Sequence, residues 1–243
     1  MITIIGTGHV FDLSQSILNV FDEKQPDIVC IELDKKRYNA LVMRKNNPEA
    51  FQEARKNTPF IYRLLARFQD SMAKEYGVEA GDEMMTAINY AQSRQLPVAF
   101  IDLNAQFMFA RMLKSMGFSE KIKLLISGFS GFFISKKRVE KELKKHESNF
   151  DKYIEEVGEK FPTIKRVLID ERNEYMVNQL VKADEEYDKI VAVMGDGHIP
   201  GISGLLKSKK IDFESVRLKD LRQSGSSNPS SSSASFSLEY KQP

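Results

Sequence analysis

One cysteine in 243 residues removes two possibilities at once. No disulfide can form within the chain, and no zinc site can be built from cysteines. The single thiol, Cys30, lies in the apolar run Asp27-Ile28-Val29-Cys30-Ile31 and reads as a small core residue. Sparse cysteine fits a reducing compartment. Net charge is nearly absent as well. The 36 basic and 34 acidic residues leave +2, which gives no general drive toward nucleic acid. The basic clusters at 136–138 and 144–145 are interleaved with Glu rather than with the aromatics of a stacking platform. No apolar run reaches the ~18–20 residues that span a bilayer. The nearest approach, residues 122–134, is broken by Lys123, Gly128 and Gly131. The amino terminus carries a strand pattern without the basic segment of a signal peptide. The expectation is a cytoplasmic protein, membrane-associated only through a carboxyl-terminal region beyond this chain.

Histidine is scarce too, and its placement is informative. Two of the three histidines follow the same pattern. Ile2-Thr3-Ile4-Ile5-Gly6-Thr7-Gly8-His9 and Ile190-Val191-Ala192-Val193-Met194-Gly195-Asp196-Gly197-His198 are each an apolar, β-branched run closed by Gly-x-Gly-His. Such runs predict buried strands. The glycines predict sharp turns and close backbone approach to a ligand. Each His then sits past the carboxyl end of a strand, the edge where open α/β sheets bind ligands. Two readings follow. The histidines cap a repeated strand-to-helix turn, or their imidazoles converge on a metal or a substrate.

Hydrophobic residues make up 42% of the chain, enough for one large domain with an inserted subdomain. Strands are predicted at 2–6, 27–33, 98–102, 189–195 and 213–218. Helices are predicted at 12–22 with Asp12 as N-cap, through 35–76 with breaks, and at 83–94, 104–116 and 163–184. The alternation predicts an α/β fold: a central, mostly parallel sheet flanked by helices. Residues 119–160 read as a large helical insertion or lid. The Phe-rich stretch 129–133 within it suggests a homodimer contact. Residues 223–243 are Ser-rich and read as a flexible tail, leaving 1–222 as the folded domain.

Several charged residues interrupt apolar patterns. Glu32 and Asp102 end apolar strands, and buried carboxylates need partners. Arg37 is a candidate partner for Glu32 or a clamp for a substrate. Glu83 lies on the apolar face of its helix, where a first-turn Glu also complements the helix dipole. Arg111 interrupts an apolar stripe. Glu171 falls within another, three residues after Leu168 and four before Tyr175, with Arg172 and Asn173 following. His146 lies among charged neighbours and receives no role.

This ordered set resembles the TraB/PrgY family, which includes pheromone-shutdown proteins and is related to the Tiki metalloproteases. The resemblance covers nearly all of residues 1–222. It rests on Gly6 and His9, Glu32 and Arg37, Gly81 and Glu83, Asp102, Arg111, Glu171 and Arg172, and Gly195, His198 and Gly201. Where the family tends to read Asp-Arg-Asp after the third strand, this chain reads Asp102-Leu103-Asn104. The resemblance implies a Tiki-type fold and a metal-dependent peptidase using Mn²⁺ or Co²⁺, with Zn²⁺ or Fe²⁺ as alternatives. His9, His198 and Glu32 suit a two-His-one-carboxylate site. Glu83 or Glu171 would serve as general base or further ligand. Arg37, Arg111 and Arg172 would hold a substrate carboxylate or stabilise developing negative charge. The partner is then a peptide or other small-molecule substrate, and nucleic acid is not expected. A second class stays open, in which the same residues grip a peptide without cleaving it, as a pheromone-sequestering protein would.

Overall fold

A computed structural model describes residues 1–8, 12–56, 81–131, 156 and 158–225. His9, His146, Phe132 and Phe133 of the Phe-rich stretch, and the Ser-rich tail beyond Gly225 lie outside these residues, as does most of the predicted insertion.

The described residues form one five-stranded sheet, in the order β3-β2-β4-β1-β5. Its strands are β1 (Ile2–Thr7), β2 (Ile28–Ile31), β3 (Val98–Phe100), β4 (Ile190–Gly195) and β5 (Phe213–Val216). Every neighbouring pair is parallel. The sheet is therefore wholly rather than mostly parallel. The helices that position the site are α1 (Ser14–Lys24), α2 (Lys35–Asn46), α3 (Pro48–Lys56), α4 (Asp82–Ser93), α5 (Ala105–Ser115) and α6 (Phe118–Gly131). After them come α7 (Pro162–Lys165), a π-helical turn (Arg166–Asp170), α8 (Glu171–Asp184), α9 (Ile199–Ser208) and α10 (Leu218–Gly225). Helix α10 runs three residues into the segment expected to be tail. Helix α1 starts one residue later than an Asp12 cap would set it, although Asp12 Oδ1 accepts from the Ser14 N–H at 3.1 Å.

The alternation of strand side chains builds two cores. Ile2, Ile4, Ile28, Cys30, Ile190, Ala192 and Met194 face one side, under Met176, Val177 and Leu180 of α8 and Ile199, Ile202 and Leu206 of α9. Ile5, Val29, Ile31, Val191 and Val193 face the other, under Ile17 and Phe21 of α1 and Met84, Ala87 and Ile88 of α4. A strand buried on both faces must be apolar throughout, which is why these runs do not alternate. Cys30 belongs to the first core, and burial pushes its thiol up to about 12, which leaves it inert.

The connections decide where the site lies. From β1 the chain crosses by α1 toward the β3 edge. From β4 it crosses by α9 toward the β5 edge. Right-handed crossovers in opposite directions put these helices on opposite faces. The chain therefore diverges between the carboxyl ends of two neighbouring strands, β1 and β4, with Thr7 beside Gly195. That is the topological switch point at which open α/β sheets bind ligands.

Candidate active site at the carboxyl edge of the sheet

Glu32 leaves β2 beside β4, where its N–H donates to the Val193 carbonyl at 3.0 Å. Both of its carboxylate oxygens are engaged. Oε2 accepts from the Gly195 N–H at 2.7 Å. Oε1 accepts a short hydrogen bond from Arg172 Nη2 and lies 3.4 Å from His198 Nε2. Burial by itself opposes the charge on Glu32. When its ring is protonated, His198 outweighs this by its charge and hydrogen bond, together with the Arg172 guanidinium and the Gly195 N–H, and the carboxyl is then held well below the usual carboxylate range.

Arg172 joins two strand ends. Its Nε and Nη2 each donate to Asp102 at 2.9 Å, a forked pair, while Nη2 also reaches Glu32. Nη1 donates to the Leu168 carbonyl at 3.2 Å, so every guanidinium nitrogen is engaged. Burial works against the charge of Arg172, but the two carboxylates raise its pKa above the ordinary value. Glu32 is thus partnered by Arg172. Arg37, expected as its partner, instead reaches Asp102, with Nη1 at 3.5 Å from Oδ2 and its own side chain 40% exposed.

His198 is held on both sides. It ends a 3₁₀ turn (Asp196–His198) leading into α9, and it is buried. Its Nδ1 lies 2.6 Å from Oδ1 of Asn173, which is also buried. The role of Asn173 was not legible, although it directly follows Arg172.

Helix phase explains the difference between neighbours. On the path from α7 into α8 the buried positions are Thr163, Val167, Asn173, Met176, Val177 and Leu180. The step from Val167 to Asn173 is six residues, and the π turn fills it. A pure α-helix would bring Glu171 inward, as its spacing from Leu168 and Tyr175 suggested. The wider turn rotates Glu171 outward and Arg172 and Asn173 inward. Glu171 therefore does not lie on a core-facing stripe. It accepts from Arg111 Nε at 2.8 Å and Nη2 at 3.2 Å, with Arg166 Nε at 4.0 Å. The Arg111 hydrogen bond leads the causes that lower the Glu171 pKa.

Glu83 is buried in the first turn of α4, after Gly81, whose φ of 95° suits glycine. Asp34, not anticipated, caps α2 by accepting from the Lys36 and Arg37 N–H groups at 2.8 and 3.2 Å. It also accepts from Asn104 Nδ2 and the Ala105 N–H, both at 3.4 Å, tying the starts of α2 and α5 together. Asn104 in turn caps α5 through the Phe107 N–H at 3.0 Å, so the Asn in place of the family's Asp keeps a capping role.

Of the glycines expected to form turns, Gly197 lies in the 3₁₀ turn before α9, while Gly6 does something else. Gly6 lies inside β1, and a Cβ there would stand 2.3 Å from Asp196 Oδ1 and 2.5 Å from Ile199 Cδ1. Asp196 occupies that space because Arg217 clamps it from Nε and Nη2 at 2.8 and 2.7 Å.

His198 and Glu32 are the donors here that could contribute to holding a divalent cation. With Nδ1 engaged by Asn173, His198 has Nε2 to offer. Two ligand bonds of about 2.1 Å meeting near the tetrahedral angle separate their donor atoms by about 3.4 Å, the distance found between Nε2 and Glu32 Oε1. Among the described residues no group of three or more His, Cys, Asp and Glu is arranged to hold a metal. His9, the other histidine of the expected set, lies outside the described residues.

Comparison with known proteins gives a consistent family signal. A model of the TraB/PrgY/gumN family matches residues 1–212. An uncharacterized protein of Methanocaldococcus jannaschii is 29% identical over 211 residues, covering 85% of this chain and 53% of its own length. TraB domain-containing proteins of Homo sapiens and Mus musculus are each 26% identical over 232 residues, covering 82% of this chain and 61% of theirs. The chain thus spans between about half and three fifths of the length of these relatives. No helix among the described residues is long and apolar enough to cross a membrane.

Proposed function

This chain belongs to the TraB/PrgY/gumN family, and we propose that it is a metal-dependent hydrolase acting on peptides. The observation that supports this reading is His198 Nε2 beside Glu32 Oε1 at 3.4 Å, at the switch point of the sheet. His198, Glu32 and His9 are the proposed ligands, with Mn²⁺ or Co²⁺ as the ions suggested by the likeness to Tiki metalloproteases. Such an ion supplies an activated water at neutral pH and polarises a carbonyl.

The remaining chemistry belongs to the chain's own side chains. Asn173 holds the His198 ring. Arg172 and the Gly195 N–H orient Glu32, the kind of outer support that keeps ligating carboxylates in place. Arg37, partly exposed and only loosely tied to Asp102, is the guanidinium available to a substrate carboxylate. Glu171, paired with Arg111 and of lowered pKa, is poorly suited to act as a base. Glu83, buried in the first turn of α4, is the other carboxylate proposed for that role.

A second reading, peptide capture without cleavage, draws on the same site. Arg172 already occupies Glu32 Oε1, and a guanidinium there competes with a cation for that oxygen. Incubation with a mixed peptide library and Mn²⁺ or Co²⁺, read by mass spectrometry, separates the two. New termini made by the wild type and not by Glu32→Gln support hydrolysis. Peptides retained intact, with affinity lost in Arg37→Gln, would favour capture and reject the hydrolase.

A further inference from the structure

We infer that Asn173 is a positioning residue that fixes His198 in one tautomer, with the proton on Nδ1, and that Gly201 is a glycine because any side chain there would displace Asn173. The use of this tautomer rests on the proposed ligand role of His198, but the test below does not.

The first step is hydrogen-bond chemistry. A carboxamide oxygen only accepts. Asn173 Oδ1 stands 2.6 Å from His198 Nδ1, so the proton between them belongs to the ring. Both residues are buried, so water does not compete for either partner. In a neutral imidazole one nitrogen donates and the other accepts. Nε2 is then bare, and its lone pair faces the Glu32 carboxylate at 3.4 Å. Two electron-rich atoms set face to face are disfavoured unless something positive stands between them, a proton or a metal ion. Asn173 therefore makes the His198–Glu32 pair a cation-seeking one. With the other tautomer the pair would close on itself through an Nε2–H···Oε1 bond.

The second step is space. A Cβ at position 201 would stand 2.3 Å from Asn173 Nδ2 and 3.3 Å from its Cγ. Position 201 lies in the first turn of α9, where alanine is the better helix former. Local preference therefore favours alanine, and the carboxamide beside it forbids one. The same carboxamide faces the site only because the π turn rotates α8. Gly201, Asn173 and His198 thus form one stack, in which α8 sets the ring carried at the start of α9.

The chain's three histidines make the test direct. Protein labelled with ¹⁵N-histidine and stripped of metal is studied by long-range ¹H–¹⁵N correlation, at a pH where the rings are neutral. The His198 ring is assigned by its loss in His198→Gln. The expected wild-type pattern is a protonated Nδ1 and a bare Nε2. In Asn173→Leu, close to isosteric and without an acceptor, the pattern should move toward Nε2–H. In Gly201→Ala it should move the same way with Asn173 still present. Asn173→Asp, which keeps an acceptor oxygen, should preserve Nδ1–H. The ring of His146 serves as an internal control, and circular dichroism confirms folding. An Nε2–H pattern in the wild type overturns the inference without any variant, and so does an unchanged pattern in folded Asn173→Leu. If the wild type shows Nδ1–H but binds no metal, the hydrolase reading fails and this inference stands.

Discussion

Arg172 and Asp102 meet through two parallel hydrogen bonds of 2.9 Å, with the Asp102 side chain only 2% exposed. The same guanidinium reaches Glu32 at the end of the neighbouring strand, so one cation is shared by two carboxylates that are largely shut off from solvent. Removing it leaves Glu32 to the Gly195 N–H and the His198 ring, and Asp102 to the Leu103 N–H and the longer Arg37 contact. Arg172→Met is expected to cost about 3–5 kcal/mol, the range for breaking one partner out of a buried pair. Arg172→Lys should recover only part of this, because an ammonium cannot fork across two carboxylates. Urea unfolding at neutral pH measures both. A loss under about 1 kcal/mol for Arg172→Met, within the range of ordinary surface pairs, would show that the cluster carries no structural weight.

Acid should weaken the protein through Glu32. Its pKa in the folded state is held below the ordinary carboxylate value. The unfolded chain therefore takes up the proton first as pH falls. The stabilisation is present in full above the unfolded value of about 4.3 and is lost progressively below it. Urea midpoints between neutral pH and acid should fall in the wild type. The fall should be shallower in Glu32→Gln, whose starting stability is lower. Equal slopes in the two proteins would mean that Glu32 titrates as it does in the unfolded chain.

How much of this was legible follows from the physics of each residue. The strands were readable because a strand buried on both faces must be apolar along its whole length, as Ile190 to Met194 are. The two apolar runs that precede the Gly-x-Gly-His patterns are neighbours, paired in parallel from Ile2 and Ile190 to Thr7 and Gly195. The charge partners were not readable. Glu32 and Arg172 are 140 residues apart, and the nearer Arg37 was the natural candidate by distance along the chain. The facing of Glu171 was misread because a π turn leaves no clear mark in a 3.6-residue pattern, so the phase error appeared only downstream of residue 166. The glycines were seen, Gly6 as a turn former and Gly201 as part of the motif set. The need at Gly6 and Gly201 comes from Asp196 and Asn173, which approach from other elements.

The Arg111–Glu171 pair should behave as a surface interaction despite its forked geometry. Arg111 is about half exposed, and water and salt screen it. Double-mutant cycles with alanine should give a small coupling that disappears in molar salt. The Arg172–Asp102 coupling should persist under the same conditions. A salt-resistant Arg111–Glu171 coupling would return the pair to the buried site.

Gly6→Ala tests the contact between β1 and the turn after β4. Alanine is normally the better strand residue, by about 0.5–1 kcal/mol. Here its methyl would meet Asp196 Oδ1 and Ile199 Cδ1 at 2.3 and 2.5 Å. The expectation is a destabilisation of about 1–3 kcal/mol, the usual cost of overpacking. A neutral or stabilising effect in thermal unfolding would show that the Asp196 clamp yields easily.

The central claim is that His198 and Glu32 act as ligands of one divalent ion at the strand edge, with His9 as the third. The most direct measurement is calorimetric titration of Mn²⁺ into chelator-stripped protein, on the wild type and on His9→Gln, Glu32→Gln and His198→Gln, each confirmed folded. The account predicts one equivalent bound by the wild type, and at least a tenfold loss of affinity in every variant. No binding by the wild type, or binding that survives the loss of both His198 and Glu32, would contradict it.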